Sequence, residues 1–196
     1  PEQLKSLGKG TIAVGHVRYG TTGSDNKRNV QPILVNHFKG RMALAHNGNL
    51  TNSRELRQEL ESRGSIFQTT TDSEVIAYII VQERLTRGSI EEAVSAAMDR
   101  IEGAYSLVLS SPTKLIAVRD PHGFRPLCMG RLKDGAVVFA SETCALDAIG
   151  AAFERDIRPG EIVVADQDGI RSDTTHCGKA EKRLCVFEFI YFARPD

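Results

Sequence analysis

The stretch Arg41-Met42-Ala43-Leu44-Ala45-His46-Asn47-Gly48-Asn49-Leu50 decides the fold class, because it leads from one kind of secondary structure into another. Its first six residues form a strand-length run that ends in a histidine, so we predict a strand over residues 41–46. The Asn-Gly pair that follows is the common signature of a tight hairpin turn. A helix-start signal at Asn52 comes where a hairpin would need its second strand. The sequence therefore favours a loop that presents side chains between a strand and a helix.

Three helices are predicted after this loop. The first opens at Asn52, three positions before Glu55, and runs to about Ser62 before Gly64. The second begins near Asp72 and ends at Gly88. Its apolar stripe consists of Val75, Ile76, Ile79 and Ile80. The third starts with a Ser89/Glu92 capping box and is expected to reach Gly103.

Strands are predicted on both sides of the helices. One covers residues 11–16 and the later ones cover residues 105–110, 115–119, 127–131, 136–140, 161–165 and 184–192. Strands, then helices, then strands indicate an α+β layered domain, and 196 residues suit a single domain over 1–196. No phosphate-binding glycine loop of the common types occurs in the sequence.

Composition narrows the class of partner. Lys plus Arg and Asp plus Glu number 25 each, so no net field favours nucleic acid or an anionic membrane, and a small polar substrate is expected. The apolar runs are much shorter than the roughly 20 residues of a membrane-spanning helix. The four cysteines contain no C-x-x-C pair, and three lie beside apolar or small residues. Reduced thiols and a cytoplasmic setting follow as expectations.

Three positions carry candidate chemistry, and each also has a structural interpretation. Arg18, before a loop rich in Gly, Thr and Ser, is suited to clamp a carboxylate, but it also fits an ordinary surface arginine. The amide of Asn47 and the backbone N–H of Gly48 can point at one oxyanion. Asp72 at a helix start suits a substrate ammonium, although as a single residue it is better explained as a helix cap.

A charged turn, Arg119-Asp120-Pro121-His122-Gly123-Phe124-Arg125-Pro126-Leu127, is expected to be mainly structural. Its arginines and its aspartate can link two strands. His122 is interpreted as an exposed turn histidine rather than a base.

Taken together, the motifs resemble the class II glutamine amidotransferases of the N-terminal-nucleophile hydrolase fold, and most closely the glutaminase domain of the amidophosphoribosyltransferase family. The resemblance rests on His16-Val17-Arg18-Tyr19, His46-Asn47-Gly48-Asn49-Leu50, Thr71-Asp72-Ser73-Glu74, the charged turn, Ala140-Ser141-Glu142-Thr143 and Glu188-Phe189-Ile190-Tyr191-Phe192-Ala193-Arg194-Pro195-Asp196. These segments span nearly the whole chain. The last one separates this branch from the sugar-phosphate amidotransferases.

The resemblance implies a truncated four-layer αββα sandwich and specific residue roles. Arg18 would bind the α-carboxylate of glutamine, Asp72 its α-ammonium, and Thr21 would belong to the loop that closes on it. Asn47 and Gly48 would hold the oxyanion. In the family, an N-terminal cysteine attacks glutamine, and the ammonia passes to a phosphoribosyltransferase domain. That domain converts phosphoribosyl pyrophosphate to phosphoribosylamine, the first step of de novo purine synthesis.

The sequence departs from the family pattern at both ends. It opens with Pro1, a secondary amine without a thiol, and it stops at Asp196, where the family crosses into the transferase domain. We therefore expect a partial domain that lacks its N-terminal strand and nucleophile and is inactive alone. Cys185 stands where iron–sulfur members of the family carry one cluster ligand, but members without a cluster also have cysteine there. No cofactor is expected in this chain by itself. A 4Fe–4S cluster, Mg²⁺ and a homo-oligomer are implied for the full-length enzyme.

Two alternatives stay open at this point. One is a glutamine-binding or scaffold module that naturally lacks the nucleophile. The other is the glutaminase domain of a sugar-phosphate amidotransferase, in which a sugar-isomerase domain would follow Asp196.

Overall fold

The computed structural model describes residues 10–17 and 27–192. Nine strands and four α-helices occur in the described part of the chain. The strands are β1 (Ile33–His37), β2 (Gly40–Leu50), β3 (Gly103–Ser110), β4 (Leu115–Arg119), β5 (Cys128–Arg131), β6 (Val137–Ala140), β7 (Ala152–Asp156), β8 (Ile162–Asp166) and β9 (Gly169–Asp173), and the helices are α1 (Ser53–Ser62), α2 (Asp72–Thr86), α3 (Ile90–Met98) and α4 (Thr143–Ile149). A 3₁₀ turn spans Lys27–Asn29 and a π-helical turn spans Glu188–Phe192.

The strands form two antiparallel sheets. The larger has six strands in the order β1-β2-β3-β4-β8-β9, and the smaller has three in the order β6-β5-β7. The long strand β2 pairs along its length with β3, from Ala43 opposite Ser110 to Leu50 opposite Gly103. Because side chains alternate between the two faces of a strand, the strands β3, β4 and β8 of the large sheet each contribute to two different cores.

The main core lies between the large sheet and helices α1 to α3. On β4, Ile116 and Val118 belong to this core, while Ala117 between them belongs to the core shared with the small sheet. Val75, Ile76, Ile79 and Ile80 of α2 are all fully or almost fully buried in the main core. The apolar stripe predicted for this helix is therefore confirmed.

The second and third cores complete the stack. Leu127 and Met129 pack with Ala117 and Val163 between the two sheets. On the far side of the small sheet, Cys128 packs with Leu146 of α4. The order of layers is thus helices, large sheet, small sheet and helix. This order confirms the predicted αββα sandwich and its α+β class.

Several predicted boundaries are wrong, and two of them are shifted by the pairing of β2 with β3. Residues 11–16 form no strand, and they line a cavity instead of pairing with a described strand. Strand β2 continues to Leu50 because β3 pairs with it there, so the expected loop after His46 is part of the strand. Helix α3 ends at Met98 rather than Gly103, since Gly103 already pairs with Leu50.

The segment predicted as a strand over 184–192 is not one. It is irregular up to 185 and helical from 186, ending in the π-helical turn. The sequence interpretation also missed β1, β7, β9 and α4. These elements are short, and β7 is largely exposed, so their hydrophobic patterns are weak.

Across residues 10–17 and 27–192, no helix has both the length and the apolar character that crossing a bilayer requires.

Candidate active site

The candidate oxyanion residues lie near the end of β2, not in a turn. Asn47 pairs with Ser106 and Gly48 pairs with Tyr105 of β3. Gly48 has φ +146°, and a Cβ atom there would lie 2.1 Å from the carbonyl oxygen of Ala104. Only glycine allows the two strands to approach so closely at this point. The pairing thus fixes the backbone on which both Asn47 and Gly48 are presented.

Asp72 is the first residue of α2, and its carboxylate is turned toward the end of β2. Its Oδ2 accepts a hydrogen bond from the backbone N–H of Leu50 at 2.9 Å, and the side chain is only 6% exposed. The N-cap position belongs to Thr71, which makes no side-chain capping bond. The carboxylate therefore joins two elements instead of serving as an ordinary helix cap.

The ring of His46 lies beside this carboxylate. Its Nδ1 is 3.1 Å from the hydroxyl oxygen of Ser73 and 3.7 Å from Asp72 Oδ1. Burial disfavours the charged form of Asp72, but the adjacent His46 and the backbone N–H groups of Leu50 and Ser73 outweigh it, so the pKa of Asp72 lies below its usual value. Asp72 is thus ionised at neutral pH, as binding of an ammonium group requires.

The segment before Asp72 is held by side chains from two helices. Glu74 accepts the backbone N–H groups of Gln68 at 2.9 Å and Thr69 at 2.7 Å. From α1, Arg57 donates to the carbonyl of Thr69 at 2.8 Å and lies 3.9 Å from the ring centroid of Phe67. This bracing fixes the approach of the chain to Asp72.

Two buried amide side chains connect the segment after residue 26 with the site. Asn29 donates to Thr70 Oγ1 at 3.0 Å and accepts from the backbone N–H of Thr70 at 3.1 Å. Gln31 Oε1 accepts the backbone N–H of His46 at 2.7 Å. Sequence reasoning missed both residues. Their polar side chains give no periodic signal, and only the fold shows that they are buried.

A cavity of about 1410 Å³ opens beside these groups and extends between the two sheets. Asn47, Gly48 and Asp72 all line it, with His16, Gln31, Ser73 and Ser106. The ion pair of Arg125 and Glu188 also lines it, joining the charged turn to the π-helical turn. Sequence reasoning did not identify this pair, because it brings together residues that are 63 positions apart.

The charged turn is a structural element, as predicted. Arg119 donates to the carbonyl oxygens of Arg125, Ile157 and Gly123. The buried carboxylate of Asp120 accepts backbone N–H groups of Tyr105, His122, Gly123 and Phe124, and burial still raises its pKa. His122 is half-buried rather than exposed, with Nδ1 2.8 Å from the carbonyl of Glu181. The prediction of an exposed histidine is therefore wrong.

The remaining predicted site residues are only partly placed by the structure. Arg18 and Thr21 lie outside the described residues. Cys185 is partly exposed and precedes the π-helical turn. Within the described ranges, no group of three or more His, Cys, Asp or Glu side chains is placed to hold a metal ion. The described residues do not form a cluster site of their own, so an iron–sulfur role for Cys185 stays a prediction that depends on other ligands.

The order of the layers, with a cavity beside the end of strand β2, defines this chain as an N-terminal-nucleophile-type αββα domain. A family model described as "Glutamine amidotransferase domain" matches residues 16–148. The chain belongs to this glutamine amidotransferase family.

Individual relatives agree with the family assignment. Amidophosphoribosyltransferase 2, chloroplastic, of Arabidopsis thaliana is 49% identical over 187 residues, which cover 95% of this chain and 33% of that protein. The Bacillus subtilis glutamine phosphoribosylpyrophosphate amidotransferase complexed with ADP and GMP superposes with a TM-score of 0.84 at 40% identity, covering 92% of this chain and 38% of that one. An "allosteric regulatory enzyme of purine biosynthesis" superposes with a TM-score of 0.85 at 41% identity, and the match covers 92% of this chain and 38% of that one. The chain thus spans between a third and two fifths of the length of these proteins.

Proposed function

We propose that this chain is the glutamine-hydrolysing domain of an amidophosphoribosyltransferase. In that enzyme, ammonia from glutamine would be used on phosphoribosyl pyrophosphate to make phosphoribosylamine, at the start of purine synthesis. The observation that carries the proposal is one cavity lined by Asn47, Gly48 and the carboxylate of Asp72, in a chain of this family. Relatives named for this activity match nearly the whole chain.

The proposed site would supply binding groups for both the α-amino acid end and the amide end of glutamine. An ionised carboxylate such as that of Asp72 pairs well with an α-ammonium, because a charge-assisted hydrogen bond is stronger than a neutral one. Arg18 would bind the α-carboxylate, and Thr21 would contact the substrate from the same loop. Asn47 and Gly48 would stabilise the oxyanion that forms when the amide carbon becomes tetrahedral.

The nucleophile would be the N-terminal cysteine of the mature protein, outside the 196 residues. Cys144 lines the cavity, but its Sγ contacts Glu142 Oε2 at 3.6 Å and it carries no free α-amine. The family mechanism needs the thiol and the amine on one residue. The chain without that residue is therefore proposed to bind glutamine but to leave it intact.

The wider properties of the enzyme remain proposals as well. Phosphoribosyl pyrophosphate and Mg²⁺ would bind to a further domain, and the full-length protein would assemble as a homo-oligomer. In a 4Fe–4S cluster, Cys185 would supply one ligand and the further domain would supply the other three. The compartment stays a prediction. A cytoplasmic location was expected from the thiols, whereas several relatives are named as chloroplastic.

The proposal is tested by glutamine kinetics of the complete protein, with ammonia and phosphoribosylamine measured separately. Asp72→Asn keeps the shape of the side chain but removes its charge, so KM for glutamine should rise about 10- to 100-fold. Arg18→Ala should have a similar effect. Asp168→Asn, at an exposed turn position, is the control and should leave KM unchanged. An unaltered KM in both site variants, or a wild-type protein that releases no ammonia, would overturn the proposal.

A further inference from the structure

We propose that His46 is a positioning residue that holds the carboxylate of Asp72 in place for the ammonium group of the substrate. This inference rests on the proposed function, because it concerns how the same site recognises glutamine. His46 precedes Asn47 on β2 and lies on the opposite face of the strand.

The fold places the ring of His46 where an apolar side chain would be expected. Met42 and Leu44 lie on the same face of β2 and are buried in the main core. By alternation, His46 is the next residue on this face, and its side chain is only 1% exposed. A buried imidazole costs free energy unless its polar atoms are satisfied, so its contacts indicate its role.

The contacts of the ring indicate that His46 acts on its neighbours through Nδ1. Nδ1 is 3.1 Å from Ser73 Oγ, within hydrogen-bond distance. Its 3.7 Å separation from Asp72 Oδ1 is longer than a hydrogen bond and makes the second contact electrostatic. Among the described residues, Nε2 has no hydrogen-bond partner. With its hydrogen on Nδ1, the ring would therefore donate a hydrogen bond to Ser73 Oγ. The same polarised N–H group would lie beside the carboxylate of Asp72.

The carboxylate is then held from two sides. Leu50 N–H donates to Oδ2, and the Nδ1 edge of His46 faces Oδ1. The backbone of His46 is itself fixed by the hydrogen bond from its N–H to Gln31 Oε1. The ring thus restricts the orientation of Asp72, and it stabilises the charged form of the carboxylate.

Two isosteric substitutions separate this role from simple packing. The side-chain amide nitrogen of asparagine can occupy the place of Nδ1, whereas that of glutamine reaches the place of Nε2. In the complete protein we expect His46→Asn to keep KM for glutamine within about threefold of wild type. His46→Gln and His46→Leu should raise KM about tenfold or more, with kcat changed less than threefold. His37→Gln, at an edge-strand histidine, is the control and should change neither constant.

Thermal unfolding is recorded for every variant, so that a folding defect is recognised. If His46→Leu does not fold, the comparison of the Asn and Gln variants still decides the question. Ser73→Ala provides an independent check, since removing the hydroxyl that holds Nδ1 should also raise KM. Two results would overturn the positioning role while leaving the proposed function intact. One is an equal KM in the Asn and Gln variants, and the other is a fall in kcat as large as the rise in KM. A wild-type protein that does not hydrolyse glutamine would overturn both.

Discussion

The carboxylate of Asp72 accepts a hydrogen bond from the backbone N–H of Leu50 over 2.9 Å, which connects the start of α2 to the end of β2. The two residues are 22 positions apart in the sequence. The strand end presents the proposed oxyanion donors, and the helix start presents the proposed ammonium-binding group. This one bond therefore couples the two halves of the substrate site.

Replacing Gly48 with alanine should destabilise the domain strongly. The new methyl group would lie 2.1 Å from the Ala104 carbonyl oxygen, so strands β2 and β3 would have to separate. We expect a loss of about 3 kcal/mol or more in the free energy of unfolding, measured by urea denaturation.

Gly169→Ala is the matched control for this prediction. Gly169 also has a positive φ, +110°, but a Cβ atom there meets nothing within 4 Å. Gly169→Ala should therefore lower the free energy of unfolding by only about 1–2 kcal/mol, through backbone strain. Equal losses in the two variants would show that the close approach at Gly48 is not the cause.

The paired hydrogen bonds between Asn29 and Thr70 should be measurable in a double-mutant cycle. Asn29→Ala should lower the free energy of unfolding by about 1–3 kcal/mol, since it removes both hydrogen bonds between the buried side chain of Asn29 and Thr70. Thr70→Val removes only the hydroxyl contact, and the coupling energy should be about 0.5–1.5 kcal/mol. Asn36→Ala, at an exposed position of β1, serves as the control. Additive losses would contradict a direct interaction.

Glu91 should make the stability of the domain sensitive to acid. Burial raises its pKa, but Lys114 at 2.7 Å and Arg171 at 3.0 Å outweigh this and lower the pKa to about 2. Because the pKa is depressed in the folded state, the stabilisation is present above about pH 4.5 and is lost as the pH falls toward 2. Glu91→Gln should flatten this part of the profile in urea titrations, and Glu102→Gln, at an exposed position, should not. An unchanged acid profile in Glu91→Gln would refute the assignment.

Much of the layered fold could be predicted from local patterns. The apolar stripe of α2 and the Ser89 cap of α3 are both local signals, and the structure contains both. At the start of α3, Ser89 Oγ accepts the backbone N–H of Glu92 at 3.1 Å. Asn52 is the N-cap residue of α1, at the helix start that the sequence predicts, but its side chain does not cap the helix. It bonds Arg100 and Glu102 instead, because the chain after α3 returns to the same place.

The site was harder to predict, since its parts come from distant segments. The Asn47-Gly48 pair suggested a turn because local statistics contain no information about β3, whose pairing extends β2 to Leu50. Asp72 looked like a helix cap for the same reason. Its bond to Leu50 depends on how α2 packs against the sheet, and no sequence window includes both residues.

The most direct test of the central claim is the turnover of glutamine by the complete protein with Asn47 replaced by alanine. Asn47 lines the cavity, whereas Asn49, two residues along the same strand, is exposed and provides the matched control. If Asn47 stabilises the oxyanion, Asn47→Ala should lower kcat about 100- to 1000-fold with little change in KM, and Asn49→Ala should stay close to wild type. A wild-type kcat in Asn47→Ala would contradict the assignment of this strand end as the oxyanion site.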